Sequence, residues 1–111
     1  MTARVLNDWA DSLSTRDPDR IVAHYAPDAL LLATLDRKPL VGRAQIKTYF
    51  NELVKKRGLG VSFGQTREVR PGIWAGLYTF VWDGGSLPAR FTIVVGPRGI
   101  QHQHSCSLPP V

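Results

Sequence analysis

An α+β plan, with helices laid over one face of a curved antiparallel sheet, follows from two features of the sequence. Apolar residues recur at helical spacing in much of the first half of the chain and at alternate positions from Val61 onward. Turn signals at Pro71-Gly72, Asp83-Gly84-Gly85 and Gly96-Pro97-Arg98-Gly99 divide the second part into four strands joined by short antiparallel connections. At 111 residues the chain is expected to form one domain over 1–111. The concave side between helices and sheet is then a natural place for a small-molecule pocket.

Each element has its own local reason. Val5, Leu6, Trp9, Ala10 and Leu13 fall on one helical face. Asp17-Pro18-Asp19 starts a second, short helix, with Asp17 as the cap and Pro18 at the first helical position. Ile21, Val22 and Tyr25 form its expected stripe, and Pro27 stops it by pushing Ala26 out of the helical region. Ala29 to Thr34 is a brief apolar run that reads as a strand. Ile46, Tyr49, Phe50, Leu53 and Val54 make the clearest helix, with Gly58 as a left-handed stop after Lys55-Lys56-Arg57.

Composition narrows the function. Apolar residues make up 43% and charged residues 21%, the balance of a globular chain with a core. No apolar run approaches the ~20 residues of a spanning helix, and Asp8 arrives before any leader-like stretch, so a cytoplasmic domain without membrane contact is expected. The lone Cys106 excludes an intrachain disulfide and a multi-cysteine zinc module. Residues 1–36 hold three bases against six acids, whereas 37–111 hold eleven bases against three acids. Only Lys55-Lys56-Arg57 forms a run, and it sits where a helix end favours cations. No nucleic-acid motif accompanies it, so no nucleic-acid partner is expected.

Five strings, in order, carry a resemblance. They are Tyr25-Ala26-Pro27-Asp28-Ala29 leading into Leu31-Leu32-Ala33-Thr34, Ile46-Lys47-Thr48-Tyr49-Phe50, and Gly76-Leu77-Tyr78-Thr79-Phe80. Ala89-Arg90-Phe91-Thr92 and His104-Ser105-Cys106-Ser107-Leu108-Pro109 complete the set. With this element order the chain resembles the nuclear-transport-factor-2-like superfamily, a cone-shaped fold that includes SnoaL-like polyketide cyclases. Within it the sequence looks most like the calcium/calmodulin-dependent protein kinase II association-domain family. Some members of that family are iota-class carbonic anhydrases, and some of those work without metal. The resemblance implies a catalytic set of Thr34, Tyr49 and Ser105 and no metal or other cofactor. Gln103 stands where the family usually has a histidine, and Cys106 where it has a second serine.

Strand alternation puts Gln101, Gln103, Ser105 and Ser107 on one face and His102, His104 and Cys106 on the other. If Ser105 faces the pocket, so does Gln103, whose amide can orient bicarbonate or water but cannot carry a proton near neutral pH. Arg90, mid-strand, is either buried and paired or aimed into the cavity to grip an anion. Tyr78 offers a further hydroxyll contact or simple packing. His102, His104 and Cys106 are metal-ligand types at strand spacing, but read more simply as histidines at a subunit interface. Asp28 is a turn cap or a general base, and His24 a partly exposed helix residue.

Three functions remain. One is a pocketed domain binding a small anionic or carbonyl-bearing molecule through Thr34, Tyr49, Ser105, Arg90, Gln103 and Tyr78, with carbon dioxide or bicarbonate as lyase substrate. The second is a non-catalytic association module forming a homodimer or larger homo-oligomer, with Trp74, Phe80 and Trp82 on the paired face. The third is a SnoaL-like cyclase or isomerase using Asp28 or His24.

Overall fold

The computed structural model describes residues 4–108. The opening Met1-Thr2-Ala3 and the closing Pro109-Pro110-Val111, with the last residue of the His104–Pro109 string, lie outside the described residues. Three helices, α1 (Arg4–Thr15), α2 (Pro18–Val22) and α3 (Gly42–Leu53), pack on one side of six strands. The strands are β1 (Tyr25–Leu32), β2 (Leu40–Val41), β3 (Gly60–Arg70), β4 (Ile73–Trp82), β5 (Gly85–Gly96) and β6 (Gly99–Ser107). Their order across the sheet is β2-β1-β6-β5-β4-β3.

The expected α+β plan is the one adopted, with differences that have local causes. The β1–β6 pairing is parallel, so the sheet is mixed, while the other four pairings are antiparallel. Asp17 caps α2 as expected, its carboxylate accepting from the Asp19 N–H at 3.0 Å. The helix stops at Val22, however, and Tyr25 opens β1 instead of completing a helical stripe. Pro27 therefore lies inside a strand, where it has no N–H to donate. The β1–β6 ladder is interrupted between Tyr25 and Leu30, around that proline. Helix α3 ends at Leu53, and Gly58 takes its positive φ of 73° in the following turn, not at the helix stop.

Alternation along the strands sorts the two faces. Tyr78 and Phe80 of β4, Ala89, Phe91 and Ile93 of β5, and Gln103 and Ser105 of β6 are buried beneath the helices. Trp9 of α1 stacks on Tyr78 with ring centroids 5.7 Å apart, and Tyr78 stacks on Phe91 at 4.4 Å. Trp74 and Trp82 share this inner face and pack against the core, which corrects the expectation that Trp74, Phe80 and Trp82 form an outer interface. Period two was legible there; which face the helices cover was not.

A register shift in β3 bends the sheet. Between Phe63, opposite Tyr78, and Thr66, opposite Gly76, β3 carries one residue more than β4. Its backbone then crosses so near β4 that a Cβ at Gly76 would lie 2.3 Å from the Gln65 carbonyl oxygen.

Candidate functional site

The inward residues of β4 and β6 meet the middle of α1, the end of β1 and one face of α3 at the bottom of the concave side. There Trp9, Leu31, Ala33, Thr34, Tyr49, Phe50, Tyr78, Phe80, Gln103 and Ser105 enclose a hollow of about 10 Å³. That is on the order of what a single water molecule needs. Five of the expected site residues, Thr34, Tyr49, Tyr78, Gln103 and Ser105, thus line one space although they come from four separate stretches of chain.

They are joined by hydrogen bonds. Trp9 Nε1–H donates to the Tyr25 hydroxyl at 3.0 Å, and that hydroxyl donates to Gln103 Oε1 at 2.5 Å. Gln103 Nε2–H donates to the Tyr78 hydroxyl at 3.0 Å. Ser105 shares a short hydrogen bond with Thr34 and lies near enough to the Tyr78 hydroxyl to act on its pKa. The result is a chain of hydrogen bonds from Trp9 of α1 through Tyr25 and Gln103 to Tyr78, with Ser105 and Thr34, the latter in the turn after β1, paired beside its end. No buried side-chain nitrogen or oxygen among the described residues lacks a partner.

Burial decides the protonation of this chain. Loss of solvent pushes the Tyr78 phenol up to about 12, against smaller opposing effects from its bonds to Ser105 and Gln103. Burial likewise raises Tyr49 to about 12, and raises Tyr25 well above its ordinary value. At neutral pH the hollow is therefore walled by neutral hydroxyls, one amide and an indole. It has no carboxylate or imidazole among its lining residues.

Arg90 does not join them. It is exposed between the buried Ala89 and Phe91, so its side chain stands on the opposite face of β5, beside Leu77 and Cys106 of the neighbouring strands. The anion-gripping role expected of Arg90 is corrected by that alternation. His102, His104 and Cys106 lie on the same outer face, away from Gln103 and Ser105. Among the described residues no group of three or more His, Cys, Asp or Glu side chains is placed to hold a metal ion. Asp28 is exposed, accepts from Gln101 Nε2 at 3.0 Å and pairs with Arg98 at 3.5 Å. His24 is half-buried between α2 and β1 rather than on the helix, and burial lowers its pKa despite the charge of Asp8. Neither residue lines the hollow, so the base roles considered for them have no place there.

Two participants were not foreseen. Trp9 reads as one more apolar residue on the stripe of α1, and Tyr25 as core; only the fold shows that their polar tips meet Gln103. A second, larger space was also unforeseen: a groove of about 710 Å³ between the β1–β2 connection and α3, with Leu35, Pro39, Leu40, Thr48 and Leu53 among its walls. Tyr49 lines both the groove and the hollow.

No protein-family model matches the chain, and no curated protein matches it. Solved structures do. A protein from Xanthomonas campestris described as a calcium/calmodulin-dependent protein kinase II association domain is 27% identical, over 98% of this chain and 86% of that one, with a TM-score of 0.83. The epoxide hydrolase/cyclase-like enzyme SalBIII, which has a role in pyran ring formation in the polyether salinomycin, matches at 0.81 with 16% identity, covering 95% and 88%. A de novo designed protein with a curved β-sheet matches at 0.74 with 17% identity, covering 96% and 84%. The designed neighbour shows that the curved sheet can be built without inherited chemistry, so function has to be argued from the side chains. The curved six-stranded sheet, the helices on its concave side and these neighbours give the chain the nuclear-transport-factor-2-like fold.

Proposed function

We propose that the chain is a small-molecule-binding domain whose hollow receives the oxygen of a carbonyl-bearing ligand. The observation that carries this is the convergence of Thr34, Tyr78, Gln103 and Ser105 on one water-sized space. Groups that meet this way in a core cost desolvation, which their mutual bonds offset, and they leave hydroxyls facing the space. Of the anionic and carbonyl ligands expected from the sequence, the carbonyl class fits better, because Arg90 faces outward and no cation lines the hollow.

Carbon dioxide is a small neutral ligand with such an oxygen, whereas bicarbonate belongs to the less favoured anionic class. Thr34 and Ser105 would hold such a substrate, and Gln103 would fix Tyr78 beside it. A hydration step also needs a proton acceptor near neutral pH, and tyrosines at about 12 do not provide one. Binding is thus better supported than turnover. The test is a titration of 15N-labelled protein with acetone and with bicarbonate, alongside stopped-flow carbon dioxide hydration by the wild type and Gln103→His. Shifts at the amides of residues 34, 78, 103 and 105 with acetone are expected; silence at all four overturns the reading. Hydration that appears only in Gln103→His would mark the hollow as an anhydrase site lacking its proton carrier.

A second reading, assembly, rests on a separate observation. The outer face of the sheet carries Leu30, Leu32, Ile73, Leu77, Val81 and Val94, all at least partly exposed. Arg90, His102 and His104 share that face, but this many exposed aliphatic side chains is more than a solvated sheet face normally carries, which favours pairing with a second copy of the chain. The association-domain neighbour agrees with this reading.

A further inference from the structure

We infer that pairing through the outer face of the sheet is gated by His102 and His104: two copies associate when these imidazoles are neutral and separate when they are protonated. The inference rests on the assembly reading above and adds its control.

Charge is sorted between the two faces of the sheet. Its strands hold five bases, Arg67 and Arg70 of β3, Arg90 of β5, and His102 and His104 of β6. Arg67 stands opposite Ala75, Arg70 opposite Ile73 and Arg90 opposite Leu77, so the register puts all five on the outer face. The same strands hold two acids, and both are already engaged. Glu68 stands opposite the inward Trp74 and accepts from the Gly72 N–H at 2.9 Å. Asp28 is paired with Arg98 and accepts from Gln101. Two copies joined through this face therefore bring cations together with no free carboxylate of the sheet to neutralise them.

The histidines lie where a partner cannot avoid them. In the order β2-β1-β6-β5-β4-β3, β6 is an interior strand. His102 sits between Leu30 of β1 and Val94 of β5, and His104 between Leu32 and Thr92. Any partner that covers both Leu30 and Val94 covers His102 as well, and the same holds along the row of His104. The arginines differ. Arg67 and Arg70 belong to the edge strand, at the rim of such a contact, and Arg90 has a long stem that can carry its guanidinium outward. An imidazole one carbon from the backbone has no such reach, so its charge would be buried bare.

No carboxylate faces either ring. The side chains directly beside them, Leu30 and Leu32 from β1 and Thr92 and Val94 from β5, carry no charge. Further along the face stand Cys106 opposite Arg90, and Arg67 in the row that runs through Ala75 and Thr92 to His104. Histidine changes charge between about pH 5 and 8. A pair that excludes protonated imidazoles binds fewer protons than two separate copies, so its association strengthens as pH rises through that range.

Sedimentation of the wild type at constant ionic strength tests the gate. Going from pH 7.5 to 5.5 should weaken association by at least about thirtyfold, because both imidazoles of each copy take up protons only when the copies are apart. The double variant His102→Gln, His104→Gln should associate at pH 5.5 as it does at pH 7.5, with circular dichroism showing that its fold is kept. His24, the third histidine of the chain, lies between α2 and β1, so a dependence arising there would survive in the double variant. Independently, the imidazole Hε1 resonances of residues 102 and 104 should move with pH in dilute wild type and stay fixed at concentrations where pairs form. Movement in both states overturns the gate. Wild-type association that is equal or tighter at pH 5.5, or a double variant that keeps the wild-type dependence, also overturns it and leaves the pairing face standing. A wild type that is monomeric at both pH values overturns the gate and the assembly reading together.

Discussion

Gln103 accepts from the Tyr25 hydroxyl at 2.5 Å, linking β6 to the first residue of β1 across 78 positions of sequence. The amide is 2% exposed and spends its other end on Tyr78. It is therefore a structural joint of the core as well as a wall of the hollow. A polar side chain with both ends satisfied can be kept in a core at little net cost, but removing it orphans its partners.

Gln103→Leu should accordingly destabilise the fold by roughly 2–4 kcal/mol, the penalty of leaving Tyr25 without an acceptor and Tyr78 without its donor. Urea unfolding measures this directly. A loss below about 0.5 kcal/mol would mean that the two tyrosines find other partners.

Gly76 is fixed by the bend in the sheet. The extra residue in β3 brings the Gln65 carbonyl and Thr66 Cα within 2.3 and 2.7 Å of where a Cβ would stand, and both are backbone atoms that cannot step aside. Gly76→Ala should cost about 1–3 kcal/mol or more and loosen the β3–β4 ladder. Hydrogen exchange at residues 63–66 would report the loosening; unchanged protection would show that the strands separate freely there.

How much of this was legible in the sequence differs between periodicity and pairing. Period two and the glycine turns marked β3 to β6, because each of those strands pairs with its sequence neighbour. The β1–β6 pair is parallel and joins distant stretches, so no turn announces it, and β2, at two residues, is too short to show a period. Within the site, alternation correctly kept Gln103 with Ser105 and apart from His102 and His104. The same rule would have turned Arg90 outward once Ala89 and Phe91 were known to be core, but an arginine flanked by apolar residues does not reveal which neighbour is buried. Trp9 and Tyr25 were invisible as polar groups, since their rings satisfy the apolar pattern and only their tips take part.

The outer face offers a test of assembly. Leu77 is 39% exposed, and across the neighbouring strands it stands in one row with Arg90 and Cys106. Leu77→Glu should lower self-association by at least tenfold in sedimentation experiments, while the monomer keeps its stability to within about 0.5 kcal/mol. Arg90→Ala should leave acetone binding in the hollow unchanged, as its side chain is on the other side of the sheet. An unaltered sedimentation profile for Leu77→Glu would remove this face from any interface.

The tyrosines make the fold sensitive to alkali. Tyr78 titrates at an ordinary 10 when unfolded and at about 12 in the core, where burial disfavours the phenolate. The folded state thus holds its proton longer, and its advantage is complete below pH 10. As pH rises above 10 the unfolded chain ionises first, and stability falls until the folded phenol also ionises near 12. For Tyr78 alone the full loss corresponds to roughly 2–3 kcal/mol, and Tyr49 and Tyr25 act in the same direction. The urea midpoint should therefore hold steady up to about pH 9 and drop through about pH 11, with tyrosinate absorbance rising as the protein unfolds. Tyrosinate appearing near pH 10 in protein that stays folded would show that the buried hydroxyls are open to solvent, and the hollow would then lose the dry, hydroxyl-lined wall on which carbonyl recognition depends.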